Sequence, residues 1–455
     1  MLYFCKGGGI FYVEKINIVF LCMVMFFTFL LIPSFAVTVV NEPIIKMGDE
    51  ILVANEKGIC AYTTDSMENI PILYCEFDPL VYSALITQPS ENNGYEGVVS
   101  LTDITNGDVK EYIIKVYLEN TFYSHITNLG GDPWVTYHDG WYYYMYTGNG
   151  FSISRSRELD RIASNPKYVF NISDLGFDVK ELWAPELHFI DGYWYIYFTA
   201  YDNSIPASAT DSNGTAKNHR MYVLKSSTSD ALGEYTFMGQ IKEIESDYLG
   251  DSDYSLDYSA PGHYAIDQSI FKWQEKLYAI WSGWNGYKSI GQRIYIAEMS
   301  DPCTISGSRV ELSRPELAYE TYDLIPAVNE APQALISPNG KTLNIAFSVN
   351  RFDNPHYSLG LLTLKKNGDP LNADDWTKTE KPVFETSAKN RTYSVGHCSF
   401  VPSPDGSEFF MVYHARRGED IEKNPREVRV EQFYWNDDGT PYFGEAIGAT
   451  DLVNS

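Results

Sequence analysis

One phrase recurs along this chain and limits what it can fold into: a short strand, a tight polar turn and a second strand dense in aromatic residues. The clearest copy runs Gly131-Asp132-Pro133-Trp134-Val135-Thr136-Tyr137-His138, turns at Asp139-Gly140 and continues as Trp141-Tyr142-Tyr143-Tyr144-Met145-Tyr146-Thr147. Asp-Gly between alternating apolar runs signals a hairpin, because both turn residues must accept positive φ. Trp183-Ala184-Pro185-Glu186 opens a second copy, LHFIDGYWYIYFTA, and Ala265-Ile266-Asp267-Gln268 a third, SIFKWQEKLYAIWSG. Asn329-Glu330-Ala331-Pro332 opens QALISPNGKTLNIAFSV, and Gly396-His397-Cys398 opens SFVPSPDGSEFFMVYHA. A further strand-like run follows each copy: SISRS, RMYVLKSS, QRIYIAEM, YSLGLLTL and REVRVEQFYW.

Five divergent copies of about four short strands each describe an all-β fold, a five-bladed β-propeller over residues 124–455. The innermost strand of every blade faces one channel in such a fold. The residues that open the copies, Asp132, Glu186, Asp267, Glu330 and His397, are then expected to converge. A single acid at a strand end reads equally well as a turn cap. Ionisable openers at a matching phase in all five copies argue for a shared cavity.

The segments before the repeat read differently. In residues 1–36, Lys6 and Lys15 precede the apolar run Ile16 to Ile32, followed by Pro33 and Ser34-Phe35-Ala36. That order is a secretory signal peptide, with a mature chain starting near Val37; the competing reading is an uncleaved membrane anchor. Residues 37–123 carry EILVA, GVVSLTDI and EYIIKVYLEN between polar turns, which suits a small β-sandwich. KEYIIKVYLEN resembles the last strand of bacterial immunoglobulin-like modules, and nothing in the segment looks catalytic. Cys60 and Cys75 lie in strand-like stretches of this unit and are candidates for a bridge in an oxidising compartment. Cys398 reads as a small buried hydrophobe.

Composition excludes two classes of partner. A formal net charge of −26 leaves no basic footprint for nucleic acid and opposes docking on an anionic membrane. A neutral substrate is compatible with it, and the 35 Tyr suit sugar-facing surfaces. In the acidic stretch after Glu186, Asp251, Asp253 and Asp257 match the first, third and seventh positions of a calcium loop. Leu256 stands where that loop needs glycine and Gly262 where it needs glutamate, so a solvated loop is expected.

The ordered set GDPWV, WAPE, AIDQSIF, NEAPQ and GHCSF resembles glycoside hydrolase family 43 across Gly130 to Gly444. YAIWSGW, IYIAEMSDPCTISG, DDWTKTEKPVF and FYWNDDGTPYFGE resemble its exo-acting α-L-arabinofuranosidase branch. The resemblance implies a five-bladed propeller and inversion of configuration. It implies Asp132 as general base, Glu330 as general acid and Asp267 as the group that sets the pKa of its partner. Arg426, in PREVRVEQF, matches a sugar-contacting arginine. No cofactor is implied for the chemistry; a structural calcium or its waters is expected near His397 in the channel.

Glycoside hydrolysis needs one carboxylic acid to protonate the leaving oxygen and one carboxylate to activate water, roughly 6.5–9.5 Å apart when configuration inverts. An acid working near neutral pH needs a raised pKa, which a like-charged neighbour such as Asp267 supplies. Glu186 is read as structural or as a hydrogen-bond partner of the sugar, and Trp183 as a stacking surface or a core tryptophan. The expected partner is plant cell-wall polysaccharide or arabino-oligosaccharide. A β-xylosidase and a glycan-binding propeller without activity are the competing readings.

Overall fold

The structure, a computed structural model, describes residues 43–454 except 55–57, 65, 66, 94, 119, 120, 129, 149, 204–208, 211–215, 218, 243–263, 285–290 and 323–326. The segment 1–36 and the Asp251, Asp253 and Asp257 stretch lie outside the described residues. Among the described residues no helix is long and apolar enough to cross a membrane. The chain divides into two compact units, Met1–Glu119 and Asn120–Ser455.

Among its described residues the first unit holds two sheets. One orders its strands Glu50–Leu52, Ile44–Met47 and Leu73–Glu76; the other orders Ile59–Thr64, Val109–Leu118, Glu96–Asp103 and Tyr82–Thr87. Alternation along Glu96–Asp103 sends Val99 and Leu101 inward to a core shared with Ile45, Met47, Leu73 and Ile114. Cys60 and Cys75 both border this core, yet they sit on strands of different sheets and remain free thiols.

The second unit is all-β, built from five antiparallel sheets in sequence order. Their first strands are Gly131–His138, Val179–Ile190, Ala265–Trp273, Asn329–Ile336 and Tyr393–Pro402. In the first three sheets a two-residue turn joins the first strand to the second, and in the fourth and fifth a six-residue connection does so. Asp139-Gly140 and Asp191-Gly192 take positive φ at both residues, as a two-residue turn with the right twist demands. The third sheet achieves the same turn with Gln274-Glu275, at the cost of two side chains in the left-handed region. The runs that follow each copy in the sequence form the third strands, at Phe151–Ser156, His219–Ser226, Gln292–Asp301, Ser358–Leu364 and Glu427–Trp435.

Apolar side chains fill the spaces between neighbouring sheets, one core to each space. Trp194, Phe198 and Phe151 pack between the first and second sheets, and Trp281, Tyr197 and Tyr295 between the second and third. Further cores separate the third from the fourth sheet and the fourth from the fifth. A last one, with Val135, Tyr144, Phe410 and Val430, lies between the fifth sheet and the first. Trp194 and Trp281 are fully buried, and truncating either to alanine would cost roughly 3–5 kcal/mol. Before the first sheet, strand His125–Thr127 pairs with Glu427–Trp435 of the fifth, and Thr121–Tyr123 pairs with Leu452–Asn454 near the chain's end. The two ends of the unit are thus tied by hydrogen bonds.

Candidate active site

Every first strand breaks its pairing at the same place. The register shifts between Gly131 and Trp134, Trp183 and Glu186, Ile266 and Ser269, Glu330 and Gln333, and Gly396 and Ser399. Just after the first residue of each break stands a non-glycine residue at positive φ: Asp132 (55°), Ala184 (43°), Asp267 (53°), Ala331 (48°) and His397 (47°). Such backbone costs about 1–3 kcal/mol per residue and persists where the surroundings over-determine it. Proline follows in three of the five sheets, at Pro133, Pro185 and Pro332, where the broken ladder needs no N–H.

This corrects the expected phase of the five openers. Asp132, Asp267 and His397 are equivalent, but Glu330 precedes its bulge residue by one position and Glu186 follows its own by two. Aligning the copies on the X-Pro step rather than on the acid would have shown this.

Asp132 sits among cations and donors, with 14% of its side chain exposed. Its Oδ1 accepts from Arg426 Nη1 at 2.8 Å and lies 3.2 Å from His397 Nδ1 and 3.7 Å from His414 Nδ1. Thr147 donates its hydroxyl to Oδ2 at 2.6 Å. Arg426 reaches this position across Gly131, where a Cβ would collide with the guanidinium, and rests on the Phe352 ring at 4.6 Å. Removal from water opposes ionisation of Asp132, yet Arg426 foremost holds the carboxyl well below the usual carboxylate range. The same burial lowers the pKa of His397 and, further, that of His414.

Glu330 and Asp267 have the opposite surroundings. Removal from water, assisted by the Asp132 charge, pushes Glu330 up to about 7, against Tyr357, Gln292 and Arg351. Gln292 donates to Glu330 Oε2 at 3.2 Å and also to the Ser282 hydroxyl. The fully buried Tyr357 hydroxyl has no close hydrogen-bond partner and lies near enough to Glu330 to favour its ionised form. Gly396 makes room for that ring, since a Cβ there would strike it. Asp267, 5% exposed, accepts from the backbone N–H of Ala331, next to Glu330, at 3.1 Å. Burial, then the charges of Glu330, Asp132 and Glu186, raise its pKa well above the carboxylate range. Asp267 and Glu330 therefore hold protons as a pair rather than singly.

Glu186 is only 2% exposed. Its Oε1 takes a short hydrogen bond from Gln333 and its Oε2 lies 2.8 Å from His188 Nε2. Gln333 is its equivalent two positions past the bulge in the fourth sheet. Trp183 packs against Tyr264, Ile266 and Trp284 and stacks on His219 at 3.7 Å. One face of its ring is thereby taken by protein.

Calcium wants about six to eight oxygen ligands. Among the described residues no group of three or more His, Cys, Asp or Glu side chains is arranged to hold a metal ion. His397 offers nitrogen, turned toward an Asp132 oxygen that Arg426 already engages. These residues do not form a protein-ligated calcium site.

Sequence reasoning missed Thr147, Gln292, Tyr357 and His414. All lie outside the first strands, and none belongs to a recognisable motif. Their signal was positional: Thr147 and His414 pair in register with Gly131 and Gly396.

The family model for glycosyl hydrolases family 43 matches residues 125–441. The extracellular exo-alpha-(1->5)-L-arabinofuranosidase of Streptomyces avermitilis is 34% identical over 335 residues, 71% of this chain and 63% of that protein. Alpha-L-arabinofuranosidase 43 of Humicola insolens is 30% identical over 69% of this chain and 61% of its own length. The chain thus spans about three fifths of the length of these relatives. Among solved structures, an alpha-L-arabinofuranosidase from Lactobacillus brevis superposes with a TM-score of 0.61 at 32% identity, covering 72% of this chain and 97% of that one. The matched stretch contains all five sheets and every site residue described above, and the chain belongs to glycosyl hydrolases family 43.

Proposed function

We propose that this chain is an inverting, exo-acting α-L-arabinofuranosidase that releases single L-arabinofuranose units from arabinan or arabinoxylan. In this reading the five sheets are the blades of one five-bladed propeller, and residues 37–123 form a small immunoglobulin-like β-sandwich. Export through the 1–36 segment is part of the proposal, supported by the extracellular relative. The observation that carries the reading is the division of charge within one site. Asp132 is held ionised by Arg426, and Glu330, within its electrostatic reach, is held protonated up to about pH 7.

Asp132 takes a proton from water as that water forms a bond to the anomeric carbon. Glu330 gives its proton to the glycosidic oxygen as the bond from the same carbon breaks. Gln292 donates to Glu330 Oε2, which leaves Oε1 as the atom that carries the acid proton. Asp267 raises the proton affinity of the pair and fixes the backbone beside Glu330 through the Ala331 N–H. Arg426 keeps Asp132 ionised and, 22% exposed, has surface left for a sugar hydroxyl. Trp183 offers its remaining face to a furanose ring, whereas Glu186 serves structure, since both its oxygens are engaged. No step passes through a metal ion.

The test is a panel of aryl α-L-arabinofuranoside, aryl β-D-xylopyranoside and linear arabinan, with product analysis and NMR of the first-formed anomer. Arabinose released singly, first as the inverted anomer, is the expected result. Predominant xylose release would make the chain a β-xylosidase, internal fragments would mark an endo-acting cleft, and binding without turnover would mark a glycan-binding propeller. Each of these would overturn the proposal.

A further inference from the structure

A repeated hydrogen bond links four of the five neighbouring pairs of bulges, and the one that an imidazole accepts in place of a hydroxyl supports Asp132. The second strand of each sheet carries one residue opposite the start of the bulge: Thr147, Thr199, Ser282, Ser348 and His414. Four are hydroxyls. Thr147 accepts the N–H of Ala184 at 2.7 Å, Thr199 that of Asp267 at 3.2 Å and Ser348 that of His397 at 2.8 Å. In each case the acceptor holds the positive-φ residue of the next sheet. Ser282 instead donates to the Asn329 carbonyl, and the N–H of Ala331 goes to the Asp267 carboxylate. The series ends at His414, whose Nδ1 accepts the Asp132 N–H at 3.3 Å and so links the fifth sheet to the first.

We propose that His414 is a positioning residue for the catalytic base: its Nδ1 accepts the Asp132 backbone N–H and fixes the left-handed residue whose side chain must point at water. This rests on the assignment of Asp132 as the base.

The geometry dictates the tautomer. An Nδ1 that accepts an N–H carries no proton, so the neutral ring is protonated at Nε2, which is buried without a hydrogen-bond partner. The ring plane is set by Tyr357, stacked at 5.4 Å with 10° between planes. His397 tilts beside it at 6.2 Å.

The choice of imidazole over hydroxyl has a chemical consequence. A serine or threonine here would carry a rotatable O–H beside a carboxylate that Arg426 and Thr147 already engage. A further donor would stabilise the ionised form and weaken the base. An Nδ1 lone pair holds the backbone and donates nothing to Oδ1, 3.7 Å away.

The test compares two substitutions in the full chain. His414→Asn places an amide oxygen where Nδ1 stood and keeps the acceptor. His414→Phe keeps a stacking ring for Tyr357 and removes the acceptor. His414→Asn should retain kcat within about tenfold, whereas His414→Phe should lose about 10²-fold in kcat with little change in KM, the scale of a small misplacement of a catalytic group. The comparison is read on whichever aryl pentoside the wild type hydrolyses, so an error in substrate leaves it intact. The reverse order, with Phe active and Asn inactive, would show that only ring packing matters and would overturn the proposal. Equal losses in both variants would overturn it as well. A measurement on the unmodified chain covers a Phe variant that does not fold: in ¹⁵N-histidine spectra, Nδ1 of His414 should remain unprotonated from roughly pH 5 to 8. A proton on Nδ1 would contradict the hydrogen bond on which the inference stands.

Discussion

Asp132 and Glu330 face the same site and are both largely withdrawn from water, yet the protein drives them in opposite directions. Around Asp132 stand Arg426, the Thr147 hydroxyl and two imidazoles; around Glu330 stand an amide, a phenol and a second carboxyl group. Withdrawal from water raises both carboxyl groups. What separates them is a cation in direct contact with one and a like-charged neighbour beside the other. The difference teaches that enclosure makes a carboxyl group sensitive, while its immediate partners decide which form it keeps. One carboxylate and one carboxylic acid at the same pH are what acid–base cleavage of a glycoside requires.

The largest effect is expected on removing the ionised member. Asp132→Asn should fold normally, because the amide keeps the shape of the bulge, and should lose about 10²–10⁴-fold or more in kcat on every substrate. Melting temperature and steady-state rates check both halves; near-normal turnover would dissolve the contrast. Asp267→Asn should lower activity less and move the basic limb of the pH profile down by about one to three pH units. The sign follows from the coupled pair: with Asn at this position no second carboxyl group shares a proton with Glu330, which gives it up at lower pH, so the acid form is lost sooner. Arg426→Met acts on the other member. Asp132 then binds a proton more readily, and the acidic limb should move up by about one to three pH units.

The smallest effect belongs to Glu186, outside the contrast, where Glu186→Gln should stay within about tenfold of wild-type kcat/KM. Burial raises its folded-state pKa above the unfolded value. The stability it contributes is present below the unfolded pKa and lost as pH rises through the folded one. The Gln variant should accordingly lose less melting temperature than wild type as pH rises above the unfolded-state value.

Much of this architecture could be read from the chain. Asp139-Gly140 and Asp191-Gly192 announced their turns, because few residue pairs accept positive φ twice. The third strands were visible as apolar runs, and Asp132, Asp267, Glu330 and His397 were singled out before any geometry. The phase of Glu186 and Glu330 was misread. A bulge adds a residue to one strand, so period-two counting fails at that point. The closing pair of His125–Thr127 with Glu427–Trp435 is a contact between distant segments that no local pattern encodes. His414, Thr147 and Tyr357 were missed for a related reason. On a buried second strand, FFMVYHAR reads as core, and only the register opposite Gly396 gives its histidine a role.

The central claim, that Glu330 is the proton donor opposite an ionised Asp132, meets its most direct test in leaving-group dependence. Wild type and Glu330→Gln would be compared on aryl α-L-arabinofuranosides whose phenols span a wide range of acidity. An acid catalyst matters most where the leaving oxygen is basic. Wild type should show a shallow dependence and Glu330→Gln a steep one, with the two rates converging at the most acidic phenol. Parallel lines, with Glu330→Gln reduced by one constant factor throughout, would show that Glu330 does not protonate the leaving group.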